Sequence, residues 1–389
     1  MFNNSIFCNI LKLIPKSQIK EMVKKHKSDR YAKSFKTWDH LVSMVYSQFS
    51  GASSLRDITN SFNLHANHHY HLGSTEVRRS TISDANNNRS CEVFRAIAGL
   101  MIEQLKGQKK ELKEVISLID STPIQLLGRG SQWADSTKTR NSCKGLKLHV
   151  EYDSRAENIE YIEITDSNVN DVTIGQKLKI EANKLYVIDK GYCDYNWWQE
   201  IIDQGANFVT RLKYNANYEV RANMFIEKED IGFILKDQLI SLKNRNPRGG
   251  KVNNLAGQVL RLVTIKHPSK DKDFTIVTSA VDKSASEIAA LYKERWDIEL
   301  LFKWLKQNMK VKNFLGESKN AICIQVYVAI ICYVLSSLFK KLSAGVIKRL
   351  KDAVVIIKTA IFSRPVLEQR MREQRAQKIF NTKQLAWIF

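Results

Sequence analysis

Between residues 115 and 213 the chain follows a pattern that few folds accommodate. Three strand-type runs come in succession, VISLID, GLKLHVEYD and IEYIEITD. A helical stretch DVTIGQKLKI, a fourth strand LYVID, a helix NWWQEIIDQG closed by Gly205 and a fifth strand NFVTRLK complete the block. Short runs rich in β-branched residues mark the strands, and the order βββαβαβ predicts an α/β fold with a mixed sheet. The flanks read differently. Residues 1–110 predict an all-helical domain, because apolar positions recur at three and four, as in Leu41, Met44, Val45 and Phe49. Within it SLRDITNSFNLH predicts one short helix, a polar His- and Asn-rich linker follows, and RRSTISDANNNRSCEVFRAIAGLMIEQLK predicts one longer helix. A lysine-rich connector, GQKKELK, leads into the core, whose first part is 111–213. Residues 214–282 read as an inserted β region, with DQLISL, QVLRLVTI and FTIVTSA between the turn-rich NRNPRGGKVNN and HPSKDKD. Residues 283–389 complete the core with a long helix that Ser284 and Glu287 open in capping-box spacing, an apolar helix and a basic tail.

The charge narrows the partner. Lys and Arg number 61 against 40 Asp and Glu, a net +21 spread along the whole chain, which favours a polyanion such as nucleic acid. A hydrophobic share of 43% supplies a sizeable core and excludes a disordered chain. Six cysteines without CxxC spacing exclude a zinc site or a disulfide framework and predict reduced thiols. Ala321–Phe339 is about as long as the ~20 residues a membrane span needs. Gln325, two serines and its isolation predict a buried helix and no membrane association, and with no leader pattern at the start the expected location is cytoplasmic, with the nucleoid. His65, His68, His69 and His71 lie in what reads as a polar loop, without the i, i+4 spacing of a two-histidine metal site.

Three acids carry the chemistry. Asp120 closes the first strand run in LIDST and Asp189 closes the fourth in YVIDKGY. Either alone would read as a turn or cap aspartate. On the long helix, Tyr292, Arg295, Glu299 and Lys306 stand at offsets of three, four and seven, within a sector of about 60° that extends roughly 21 Å. Such a stripe could be an intrahelical ion-pair row on a solvated face. Two strand-end aspartates and a helix glutamate are also what two Mg²⁺ or Mn²⁺ ions need, since hard cations take oxygen ligands and a two-metal site holds both oxygens of an in-line displacement at phosphorus.

These positions resemble the DDE transposases of bacterial insertion sequences, in the group marked by a Tyr-x2-Arg-x3-Glu-x6-Lys signature that Tyr292, Arg295, Glu299 and Lys306 match at every spacing. LIDST around Asp120, the Asp-x-Gly-Tyr motif from Asp189 to Tyr192, and VTRLK after it are similar to the family's acidic motifs, in order. The likeness extends over nearly the whole chain, with FKTWDHLVSMVYSQFSGASSLRDI and RRSTISDANNNR similar to the helical domain ahead of the core in many relatives. It implies an RNase H-like core with a β-strand insertion before the Glu, with the first and fourth strands adjacent. It implies Asp120, Asp189 and Glu299 as catalytic metal ligands, and Tyr292, Arg295 and Lys306 as contacts to the transposon-end backbone.

Other DNA contacts are expected from residue type. Thr81 to Asp84 read as a capping-type helix start whose first turns expose Asn86, Asn87, Asn88 and Arg89, side chains that read base edges, or else a solvated Asn-rich helix start. Lys147 and His149 alternate onto one face of the second strand, facing DNA or supporting the metal ligands, or serving structure. Trp296 is expected to pack, and the inserted region holds no Trp to capture a flipped base. The expected function is a DNA transposase that binds both ends of its element as a homodimer, cleaves them and joins the 3′ ends to target DNA. A metal-dependent nuclease of the same fold, a non-catalytic DNA-binding remnant and a basic membrane-surface protein are the alternatives.

Overall fold

The computed structural model describes residues 5–107, 115–126, 129–137, 144–243, 252–266, 273–309, 314–343 and 345–363. Most of the lysine-rich connector, the turn-rich stretches 244–251 and 267–272, Cys143 and the basic tail lie outside them. The chain divides into two compact units, one of Met1–Gln108, Gly128–Trp133 and Trp304–Phe389, the other of Lys109–Leu127 and Ala134–Lys303.

In the helical unit the first part of the chain forms α1 (Ile6–Leu11), α2 (Lys16–Lys25), α3 (Thr37–Ser50), α4 (Leu55–Asn63), α5 (Ala66–Leu72), α6 (Arg79–Asn88) and α7 (Cys91–Lys106). The His-rich stretch expected as a loop is the short helix α5. His69 is buried there and stacks on Phe62 with ring centroids 4.3 Å apart. One long helix was expected from residue 78 onward, and the chain instead breaks between α6 and α7. Three successive asparagines are weak helix formers, and the Ser90 hydroxyl accepts from the Glu92 amide to start α7 afresh.

The other unit is built on one nine-stranded sheet. Its strands are β1 (Val115–Gln125), β2 (Gly145–Asp153), β3 (Asn158–Asp166), β4 (Lys184–Ile188), β5 (Asn207–Arg211), β6 (Tyr218–Asn223), β7 (Ile234–Leu242), β8 (Leu260–Ile265) and β9 (Phe274–Thr278), in spatial order 3-2-1-4-5-9-8-7-6. β1 to β3 form an antiparallel meander, while β4 and β5 run parallel to β1. The core is thus RNase H-like, with β1 beside β4. Every residue of β4 is buried, as befits a central parallel strand covered on both faces. Helices α8 (Asp171–Gly175) and α9 (Tyr195–Asp203) lie in the crossovers, and α9 drives Trp197, Trp198 and Ile201 into a cluster with Tyr186, Ile188 and Phe208.

The inserted strands continue this sheet, because β9 pairs antiparallel with β5 and carries β8, β7 and β6 outward. β6 escaped the sequence reading. YEVRAN is an edge strand, exposed along most of its length, so no burial alternation marks it. β7 and β8 are locked by a buried pair, with Arg261 Nε donating to Asp237 Oδ1 at 2.9 Å and Nη2 to Oδ2 at 2.6 Å. The same guanidinium donates to the carbonyls of Val281, at 3.0 Å, and Lys283, so it also holds the segment that leads into the next helix.

That segment opens α10 (Ala285–Glu294) through the expected Ser284–Glu287 capping box, and α11 (Trp296–Asn308) follows. One continuous helix was expected. At Arg295 the ladder tightens to three-residue bonds, Arg295 N–H to Tyr292 O and Ile298 N–H to Arg295 O, while Arg295 keeps right-handed helical angles. Back in the helical unit, α12 (Lys319–Leu342) is long and apolar enough to cross a membrane, yet 94% of its apolar window is buried inside the protein. It packs on α3, α7 and α13 (Leu350–Thr359), the buried helix that its composition predicts.

Candidate active site

Parallel pairing of β1 with β4 runs in register up to Ile119 and Ile188, so the next residues on the two strands, Asp120 and Asp189, are neighbours. Asp120 does not close its strand. β1 continues along β2 to Gln125, paired with Gly145, and Asp120 marks only the point where pairing with β4 stops. Asp189 also serves as a cap, its Oδ2 accepting from the Gly191 amide at 2.9 Å to set the turn Lys190–Tyr192.

Arg295 joins the acids. Its Nη1 lies 3.1 Å from Asp120 Oδ2 and 3.7 Å from Asp189 Oδ1, and its Nη2 lies 2.6 Å from Glu299 Oε1. The intrahelical Arg295–Glu299 pair is therefore real, but it is part of a cluster in which one guanidinium touches three carboxylates from two strands and a helix. Burial is the main cause that pushes Asp120 up to about 7, with Asp189 and Glu299 adding to it and the Ser121 amide and Arg295 opposing. Such a group of acids is stable only beside positive charge.

The guanidinium tests the donor set: hard oxygen ligands that surround one fixed cation also suit divalent ions. Among the described residues no three His, Cys, Asp or Glu side chains are gathered tightly enough to hold an ion as they stand. Arg295 lies within 3.7 Å of a carboxylate oxygen of each of the three acids.

A second polar group lies behind the acids, and the sequence reading missed its centre, Asp171. Asp171 Oδ1 accepts from Ser121 Oγ at 2.8 Å and from Lys147 Nζ at 3.0 Å, with His149 Nδ1 3.7 Å away. A Cβ on Gly191 would lie 3.2 Å from Asp171 Oδ2, so Asp171 borders the residue after Asp120 and the turn after Asp189. His149 is lowered to about 4 by burial, and it pairs with the Tyr192 hydroxyl at 3.3 Å and with Thr165 Oγ1 at 2.9 Å. Lys147 and His149 share a face as expected, but that face is turned into the protein, where Lys147 also donates to the Val169 carbonyl. The only sequence signal for Asp171 was an acidic first turn, which every ordinary helix start can show.

The other expected DNA contacts differ in their surroundings. Tyr292 lies under Arg295, the guanidinium carbon 5.9 Å from its ring centroid, and burial raises its hydroxyl. Lys306 is half-buried near the end of α11, on the part of that helix that belongs to the helical unit. Asn86 and Arg89 are corrections: both are buried, because they stand on the last turn of α6 and just past it instead of on an exposed first turn. The His40 ring donates from Nε2 to Asn86 Oδ1 at 2.7 Å, and Arg89 donates to the carbonyl of Phe35 at 2.8 Å. Asn87 is exposed and accepts from the Ser318 hydroxyl at 2.8 Å. Asn320 of α12 donates to the carbonyls of Asn86 and Arg89, a tertiary use that spacing along the chain does not reveal. Trp296, expected to pack, is the first residue of α11 and is 57% exposed.

Comparison with known proteins finds a matching family and relatives over most of the chain. A family described as a transposase DDE domain matches residues 111–335, and one described as a domain of unknown function matches residues 2–75. A Sinorhizobium fredii protein named as transposase y4zB is 38% identical over 265 residues, 67% of this chain and 71% of that one. A Geobacillus stearothermophilus protein named as a transposase for insertion sequence element IS5377 is 24% identical over 304 residues, 75% of this chain and 78% of its own length. A Synechocystis protein named as a transposase for insertion sequence element IS4SA is 26% identical over 271 residues, 69% and 73% of the two chains.

Proposed function

The chain belongs to the DDE transposases, metal-dependent enzymes that cleave DNA, and from that premise we propose that it binds the ends of its own insertion sequence, frees their 3′ hydroxyls and joins them to target DNA. The observation that carries this reading is the convergence of Asp120, Asp189 and Glu299 on one guanidinium. The family uses divalent metal ions, and in our reading the three carboxylates hold two, Mg²⁺ or Mn²⁺, which would supply polarisation of the attacking oxygen and stabilisation of the leaving 3′ oxygen.

The chain's own groups do the rest. Arg295 is planar and permanently charged, and its fork fits phosphate as well as carboxylate, so it is suited to hold the scissile phosphate against the acids. Tyr292 supports that guanidinium from below. Lys306 and the helical region 1–110 contribute backbone contacts to the transposon end, and two copies of the chain hold two ends together. In cleavage a water oxygen attacks phosphorus and the 3′ oxygen leaves with a proton. In joining, that 3′ hydroxyl attacks a target phosphodiester and displaces the target's 3′ oxygen. Neither step needs a protein nucleophile. The action on DNA places the protein with the nucleoid.

The test is cleavage and strand transfer on DNA that carries the element's terminal repeats, with Asp120→Asn and Glu299→Gln beside wild type. Each substitution should lower both rates by roughly 10²-fold or more, the scale of removing one electrostatic stabiliser from a site. Cleavage by Glu299→Gln at the wild-type rate would refute the site, and cleavage without joining would leave a nuclease.

A further inference from the structure

The match to a domain of unknown function covers the stretch between α2 and α3, and that stretch is built to present charge. Lys27, Arg30, Lys33 and Lys36 are exposed there, as are Lys24 and Lys25 at the end of α2, and the one acid among residues 24–36, Asp29, is turned inward. Asp29 Oδ1 accepts from both the amide and the hydroxyl of Thr37 at 2.7 Å, with Arg89 Nη2 3.7 Å away. The cations therefore face outward uncompensated by it.

The loop is held rigidly. Lys27 takes a left-handed conformation, φ 50°, and the Ser28, Arg30 and Ala32 amides close successive turns onto the carbonyls of Val23, Lys27 and Asp29. Arg89, buried beneath, donates from Nη2 to Phe35 O at 2.8 Å and, over longer contacts of 3.4 Å, from Nε to Ser28 O and from Nη1 to Lys36 O. The residue expected to read bases thus ties both ends of the loop. A concavity of about 530 Å³ opens between the loop and α6, with the exposed Asn88 among its lining residues. Tyr31, 84% exposed, stands on the loop with the Arg30 guanidinium 5.2 Å over its ring.

We propose that this loop, through Lys27, Arg30 and Lys33 with Tyr31 beside them, grips the phosphate backbone of double-stranded DNA, and that Arg89 is its positioning residue. The assignment rests on the transposase reading and gives the N-terminal region a specific DNA-contacting surface. Spaced cations on a preformed support suit a row of phosphates, whose release of counterions sets the affinity. A membrane surface fits less well: Tyr31 is the one exposed large apolar side chain among these residues, whereas a helix or loop that enters a lipid interface needs an apolar face.

The experiment measures binding of the full-length protein to a labelled duplex bearing the terminal repeat, by fluorescence anisotropy between about 50 and 200 mM salt. At roughly 0.9 per phosphate, Arg30→Ala with Lys33→Ala should lower the slope of log K against log salt by about 1.8, while Arg30→Lys with Lys33→Arg keeps the wild-type slope. Arg30 and Lys33 are exposed, so both doubles should retain the wild-type melting temperature. An unchanged slope in the alanine double would overturn the assignment, as would a loss confined to vesicles of anionic phospholipid. If wild type cleaves end DNA while the alanine double keeps its slope, the loop assignment fails alone. If wild type neither binds nor cleaves, the transposase reading fails with it.

Discussion

At the scale of single residues, the centre of the molecule is an exchange of partners around charge. Pairing of β1 with β4 makes Asp120 and Asp189 neighbours, Arg295 bonds both and Glu299, and Asp171 makes a parallel arrangement with Lys147. Asp171 contacts Ser121 and borders Gly191, so it links the two segments that carry the strand acids. Such supporting groups set the orientation of metal ligands, and their loss costs 10–100-fold in metal affinity or activity as a rough scale. We predict that Asp171→Asn weakens Mn²⁺ binding, read by electron paramagnetic resonance without DNA, by roughly 10- to 100-fold with the melting temperature nearly kept. Unchanged Mn²⁺ binding would reduce Asp171 to a structural link between β1 and α8.

At the scale of elements, the helices on either side of Arg295 depend on the inserted strands. Arg261 of β8 bonds Asp237 of β7 and also the carbonyls of Val281 and Lys283, just before the Ser284 cap of α10. Both side chains of the pair are almost fully buried, at 8% and 0% exposure, so removal of one partner strands the other. Asp237→Ala should destabilise the sheet unit by about 3–5 kcal/mol, whereas Arg261→Met combined with Asp237→Leu should recover most of that loss. Urea unfolding of the three proteins measures it. A double variant as unstable as the single would show that the bonds to Val281 and Lys283 matter more than the ion pair.

At the scale of the whole molecule, stability should depend on pH through His40. It is fully buried between Phe35, Phe94, Asn86 and Arg89, and burial, aided by the Arg89 charge, lowers it to about 3. The unfolded chain takes up a proton near the ordinary histidine value of ~6.5 while the folded protein does not. This contribution to stability is complete above that value and is lost as pH falls from about 6.5 toward about 3, by at most ~1.4 kcal/mol per pH unit. Melting temperature measured from pH 7 to pH 4 should fall less steeply in His40→Gln, even if that variant starts lower. An equal slope in both proteins would assign the acid sensitivity elsewhere.

Local pattern and composition determined a great deal. Alternation and β-branched runs defined the order of β1 to β5, because a central strand such as β4 must be apolar throughout when both its faces are covered. Helical spacing placed Arg295 and Glu299 on one side, and the acids followed from their residue types. Apolar length with interrupting polar residues marked α12 as a core helix. Tertiary structure alone decided the rest. β6 was hidden because an edge strand needs no buried face, and the inserted strands joined the main sheet through β9 and β5, a pairing between residues far apart in the chain. Asn86 and Arg89 carry the side chains of base readers, yet His40 and the loop 28–36 claim them, since a polar group near a helix end is used by whichever partner the packing brings closest. Asp171 became visible only when Ser121 and Lys147 arrived beside it from two different strands.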